Sequence, residues 1–268
     1  MLSSKNIISE EVINNAINEE LGIANEVTKL AGIIEKKLFS FIKQGFIDFV
    51  FEVKTENSQL SVDYSLRRFN NEKEALEWTD FERGGDGYSY GANTMFLSLA
   101  VINNKFDYNR LTDTIHHECS HYWEMKNMGK DLYTEYYQEI INGTRSRNKY
   151  INLMSYVVYY SSKNEINSFV NGSYSSAMKK KKIYRNYKEF IEDNSVIEPY
   201  EEFKTAIKEM SKVNVDTDTM LELAAMKLGC DKNYLVEFIY DTAEYGLKYL
   251  LQRIGKAYSL YMKQMQYK

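Results

Sequence analysis

The chain has 268 residues, 44% of them hydrophobic and 27% charged, enough to bury a full core as one large domain or two packed halves. Its 34 basic and 38 acidic residues leave a net charge of −4 and an isoelectric point near 5.6, which argues against a nucleic-acid surface. Two cysteines build no disulfide framework, no apolar run reaches the ~18 residues of a membrane span, and the opening residues lack a signal-peptide core; the expectation is a cytoplasmic protein with no membrane partner.

In chain order, residues 8–44 carry Ile13, Ile17, Leu21, Val27, Leu30, Ile34, Leu38 and Phe41 at spacings near three and four, which predicts a helix with Gly45 as its stop. The period then changes. Segments 46–55 and 60–69 are rich in β-branched and aromatic residues and flank the turn sequence ENSQ, which predicts an antiparallel pair. A short helix is expected over 72–82 and a glycine-rich loop over 83–91, where GGDG does not satisfy a phosphate-loop pattern. Residues 92–102 read as a strand, and from Asn109 onward almost everything reads as helix. The expected fold is α+β: residues 1–129 form a small, mostly antiparallel sheet with the helix that carries the histidines, and residues 130–268 form a mainly helical half.

All three histidines, His116, His117 and His121, fall within DTIHHECSHYWE at 113–124. HECSH fits H-E-x-x-H. Residues four apart on a helix lie ~40° from each other, so His117 and His121 project one turn apart from one face and can grip one cation. Glu118 sits beside that pair and can reach a water without being a ligand. Leu111, Ile115, Cys119 and Tyr122 form the inward apolar side, Thr112 or Asp113 could cap an early turn, and Gly129 supplies a stop. His116, ~100° away from His117, reads as a packed or surface histidine, and Cys119 as a small buried hydrophobe. The overlapping E-x-x-H of a di-iron bundle is excluded, because no second histidine motif remains.

A catalytic zinc site commonly has three protein ligands and one open position. No histidine follows His121, and the extended pattern with a third histidine fails at Glu124 and Asn127. Downstream, SKNEINSFVNGSY offers Glu165, 44 residues beyond His121, with Glu135 and Glu139 as substitutes. Here the chain resembles the gluzincins, the thermolysin-like zinc metallopeptidases, whose third ligand lies in an Asn-Glu-x-x-Ser segment matched by Asn164, Glu165 and Ser168. The resemblance covers two short motifs and a preceding strand. It departs at Phe169, where such enzymes often carry an aspartate that orients a ligand histidine. It implies Zn²⁺ held by His117, His121 and Glu165, Glu118 as general base, a peptide or protein substrate, and an edge strand at 92–102 that pairs with the substrate backbone. An oxyanion needs a further donor; Tyr174 is the nominee, with His116 as the outsider.

Two other readings remain: a zinc hydrolase acting on a non-peptide amide or ester, and an inactive helical scaffold that keeps the metal. The lysine run 179–182 with Arg185 reads as a solvated loop or helix end, and the tyrosines of SYVVYY at 155–160 as core packing.

Overall fold

The α1 helix, Glu10–Lys43, forms because Val27, Leu30, Ala31, Ile34 and Leu38 recur on one stripe, and all five are buried. It stops at Gly45, whose φ of +86° suits a residue without a Cβ. The computed structural model describes residues 10–56, 59–82, 87–90, 93–103, 105–128, 140 and 142–266.

β1 (Asp48–Lys54) and β2 (Gln59–Phe69) pair antiparallel, with Asp48 opposite Ser65 and Lys54 opposite Gln59. α2 (Glu72–Leu76) is capped by the Asn71 side chain, which accepts from the Glu74 amide, and continues as a π-helical turn over Glu77–Glu82. This α2 turn is the crossover that lets β4 (Thr94–Ile102) return parallel to β2, Ser61 opposite Thr94 and Phe69 opposite Ile102. β3 (Gly87–Tyr90) and β5 (Lys105–Phe106) both pair antiparallel with β4.

The sheet runs β1-β2-β4-β3, with β5 also on β4. It is mixed: three ladders are antiparallel and the central one is parallel. The α+β class and the helical second half are as expected. The placement of the strand at 92–102 is corrected. β4 is not an edge along Thr94–Leu97, because β3 covers it there; β5 covers Val101 and Ile102. Part of the expected glycine-rich loop is therefore strand, and its residues 83–86 and 91–92 lie outside the described residues.

Helix α3 (Tyr108–Met128) follows at once. The second half contains α4 (Lys149–Ser161), α5 (Lys163–Lys180), α6 (Tyr187–Glu192), α7 (Ile197–Met210), α8 (Thr219–Leu228) and α9 (Lys232–Gln266). No helix among the described residues is long and apolar enough to cross a membrane.

Among the described residues, two hydrophobic cores result. The first joins α1, the inner face of the sheet and Leu111, Ile115, Cys119 and Tyr122 of α3. The second gathers α4 to α9 around residues such as Val157, Tyr174, Phe203 and Tyr261. Each fully buried large side chain contributes about 1.5–3 kcal/mol. The packing of α3 on α5, with α1 touching both, is where the two cores meet.

Candidate metal centre

The expected apolar side of α3 is buried, and so are its three histidines and Glu118. Its cap is not Thr112 or Asp113. The helix begins a turn earlier, and Asp107 accepts from the Arg110 amide at 2.9 Å. Thr112 and Asp113 are instead used against α5: the Lys179 ammonium reaches Thr112 at 3.5 Å, and Asp113 accepts from the Ser176 hydroxyl and pairs with Lys180 at 3.3 Å. The expected stop at Gly129 lies outside the described residues, as do the substitute ligands Glu135 and Glu139.

Helix α5 starts at Ser162, whose hydroxyl accepts from the Glu165 amide at 3.2 Å. Ser-x-x-Glu is also a capping-box pattern, in which the glutamate would turn back to the first amide of the helix. That amide is already donated to the Tyr159 carbonyl at 3.3 Å. The Glu165 carboxylate turns towards α3.

The contacts between α3 and α5 run antiparallel: Lys179 with Thr112, Ser175 with His116, Asn171 with Ser120, Ser168 with His121. Gly172 makes the closest approach; a Cβ there would lie 3.0 Å from the backbone N and Cα of His117. Only glycine lets the two helices meet this closely at the motif.

This crossing brings His117, His121 and Glu165 together. The Nε2 atoms of the two histidines are 3.0 Å apart, and Glu165 Oε2 lies 3.3 Å from His121 Nε2 and 3.8 Å from His117 Nε2. Ligands at ~2.0–2.1 Å from a tetrahedral ion are separated by ~3.4 Å. The three atoms match that triangle, and the trio could hold a metal ion. All three residues are buried, at 9%, 8% and 4% exposure.

The imidazoles are prepared for a cation. Burial first, then neighbouring His121, pushes His117 down to about 3 against the pull of Glu165, so it stays neutral with a lone pair to offer. His121 Nδ1 lies 3.0 Å from the Ser168 hydroxyl; donating to that oxygen, it turns a bare Nε2 towards the trio. His117 Nδ1 has no hydrogen-bond partner among the described residues, and the ring packs on Phe169 at 4.3 Å. Phe169 thus covers the imidazole where an aspartate would hold it.

The remaining residues divide. Glu118 is buried, directly after His117. Cys119 is a core residue whose thiol burial pushes well above the usual range. His116 is packed, 2.6 Å from Ser175 Oγ through Nδ1, and does not join the trio. Tyr174 is a correction. Nine residues beyond Glu165 is two and a half helical turns, ~13 Å along α5 and on its opposite face. Its ring packs edge-on to Tyr261 at 6.5 Å in the second core, and burial pushes its hydroxyl up to about 12.

Sequence reasoning took Tyr160 only as packing. Its ring stacks near Tyr156 and touches Phe169 at 5.6 Å, and its hydroxyl is pushed up by burial and then by the charges of Glu198, Glu202, Tyr156 and Glu165. Alternation of tyrosines on α4 was visible in the sequence; their distance to Glu165 was not. The lysine run is a helix end, as expected, yet three of its members are committed: Lys179 to Glu35, Lys180 to Asp113 and Lys182 to Asp193.

A cavity of about 320 Å³ lies along β4 between α2 and α3, lined by Leu76, Ser98, Ala100, Phe106, Arg110 and Thr114 among others. Arg110, Thr114, His117 and His121 follow one another at spacings of three and four, so the cavity shares a stripe of α3 with the two histidines.

Compared with family models, curated proteins and solved structures, the chain finds no match.

Proposed function

We propose that the protein is a zinc-dependent peptidase of the gluzincin type. The observation that carries this reading is the convergence of His117 Nε2, His121 Nε2 and Glu165 Oε2 on one point, in the spacing of a tetrahedral site. Zinc bound there would supply a Lewis acid that brings the pKa of water towards ~7 and polarises a carbonyl.

The chain's own residues do the rest. Glu118, next to a ligand and withdrawn from bulk solvent, accepts the proton of the attacking water and hands it to the leaving amine. Ser168 orients His121 through Nδ1. Tyr160, whose ring packs on Phe169 beside His117 and whose hydroxyl burial keeps protonated, replaces Tyr174 as the candidate donor to a developing oxyanion. The cavity on the same stripe of α3 gives a substrate side chain somewhere to sit.

The burial of all three ligands favours a second reading, a closed structural metal that pins α3 to α5. Glu118→Gln separates the two. The peptidase reading expects zinc content unchanged and peptide turnover reduced by ~10²–10⁴-fold. Zinc retained with no turnover on peptides, amides or esters by either protein leaves the structural reading. Peptide turnover that survives the substitution removes Glu118 from the mechanism.

A further inference from the structure

The three ligands sit on two helices, so the geometry of the trio depends on how α3 and α5 are held against each other. The α1 helix contacts both. There a line of polar atoms begins and ends on α1. Thr28 Oγ1 lies 2.5 Å from Ser175 Oγ of α5, and Ser175 Oγ lies 2.6 Å from His116 Nδ1 of α3. His116 Nε2 faces Glu35 Oε1 at 3.8 Å, and Lys179 of α5 pairs with the other oxygen of Glu35. Glu35, His116 and Ser175 are fully or almost fully buried.

Thr28 and Glu35 are seven residues apart, two turns on one face of α1, and bracket α3 and α5 over ~10 Å. The direction of each hydrogen bond follows from the carboxylate at one end. At 3.8 Å, Glu35 Oε1 is beyond hydrogen-bond reach of His116 Nε2, and neither atom has another hydrogen-bond partner among the described residues; the carboxylate's charge favours the tautomer with its hydrogen on the Nε2 that faces it. Nδ1 therefore accepts from the Ser175 hydroxyl, and the Ser175 oxygen accepts from Thr28. The residue types are those of a serine hydrolase, but Ser175 is fully buried and its oxygen is already held by Thr28, so no substrate reaches it.

We propose that Thr28, Glu35, His116 and Ser175 are positioning residues that lock the register of α3 against α5 and thereby set the separation of His117 and His121 from Glu165. This rests on the reading of those three as cation ligands. His116 adjoins His117, so a shift of α3 at the network passes straight to a ligand backbone. Gly172, whose Cβ would meet His117, lies on α5 between Ser175 and Glu165. Apolar contacts tolerate sliding by part of a turn; the two hydrogen bonds that tie Thr28, Ser175 and His116 together, with the imidazole facing a carboxylate already paired to Lys179, hold only near one register.

The test compares Zn²⁺ affinity, by competition with a chromophoric chelator, and the Co²⁺ absorption spectrum across full-length variants, each checked for stability in the metal-free state. Thr28→Val, Ser175→Ala and Glu35→Gln are expected to bind Zn²⁺ ~10–100-fold more weakly and to shift the Co²⁺ bands, the range typical of groups one step removed from a metal. Thr28→Ser keeps the hydroxyl and should keep both. Thr28 is only half-buried, so its pair of variants reports even where Glu35→Gln does not fold. Folded variants with wild-type Zn²⁺ affinity and an unchanged Co²⁺ spectrum, however much stability they lose, overturn the proposal. A wild-type chain that takes up neither ion overturns the cation reading itself, and this inference with it.

Discussion

The two faces of α5 make opposite use of burial. One face presents Glu165, Ser168, Gly172, Ser175 and Ser176 to α3, small or polar side chains of which the serines are entirely buried. The other presents Ile166, Val170, Tyr174 and Ala177 to the second core, packed with α9. The apolar face supplies stability by area removed from water, without demanding an exact register. The polar face gains little from transfer and must satisfy each donor and acceptor, so it fixes positions. A site that needs three atoms within a few ångströms is built on the second kind of surface.

The sharpest way to break this contrast is to remove a proposed metal ligand from the polar face. Glu165→Ala should weaken Zn²⁺ binding by more than about 100-fold, beyond what outer positions give, and leave the apolar core folded. Chelator competition together with near-ultraviolet circular dichroism reads both; retained affinity would remove Glu165 from the trio.

Acid should sharpen the contrast next. Burial holds His116 and His117 near 3, below the unfolded value of 6.5. Their contribution to stability is present in full above pH 6.5 and is lost as pH falls from 6.5 towards 3, because the unfolded chain takes up protons first. The loss in metal-free protein should be on the order of a few kcal/mol. The second core behaves in the opposite sense: Tyr174 and Tyr187, raised to about 12, lose their contribution only as pH climbs above 10. Urea titrations across pH that show no acid slope would contradict the burial of neutral imidazoles.

Two glycines give a matched comparison of smaller effects. A Cβ at Gly172 would meet His117 backbone at 3.0 Å, and one at Gly246 would meet the Phe203 ring at 2.4 Å. Each Gly→Ala change should cost about 1–3 kcal/mol through overpacking. Only Gly172→Ala should also lower Zn²⁺ affinity, since only it moves a ligand helix. Equal effects on the metal from both would mean that the two faces are mechanically one.

The smallest effect is expected at Tyr174→Phe. Its hydroxyl is buried with no partner among the described residues, so removal should change stability by less than about 1 kcal/mol, in the stabilising direction, and leave turnover alone. A large fall in turnover would restore Tyr174 to the chemistry.

Much of this was legible in the residues. The change of period at Gly45, the hairpin partners and the apolar side of α3 are short-range patterns, and the structure places them as read. Within the site, His117 and His121 were fixed by a spacing of four on a helix, which brings side chains together whatever surrounds them. Glu165 was legible only through its resemblance to a family motif.

The failures are of one kind. Tyr174 was chosen by proximity in sequence to Glu165, and helical phase sends it to the far face. The strand at 92–102 was given an edge, and a crossover through α2 put β2 on one side and β3 on the other.

By itself, then, the sequence determined the elements, the polarity of their faces and the pair of histidines, because these depend on backbone geometry repeated over a few residues. That Ser168 lies against His121, that Phe169 covers His117, and that α1 reaches His116 through Glu35 were decided by tertiary structure alone. Those contacts join residues 44 or more positions apart, or on opposite sides of a loop, and their distances are set by how closely helices pack.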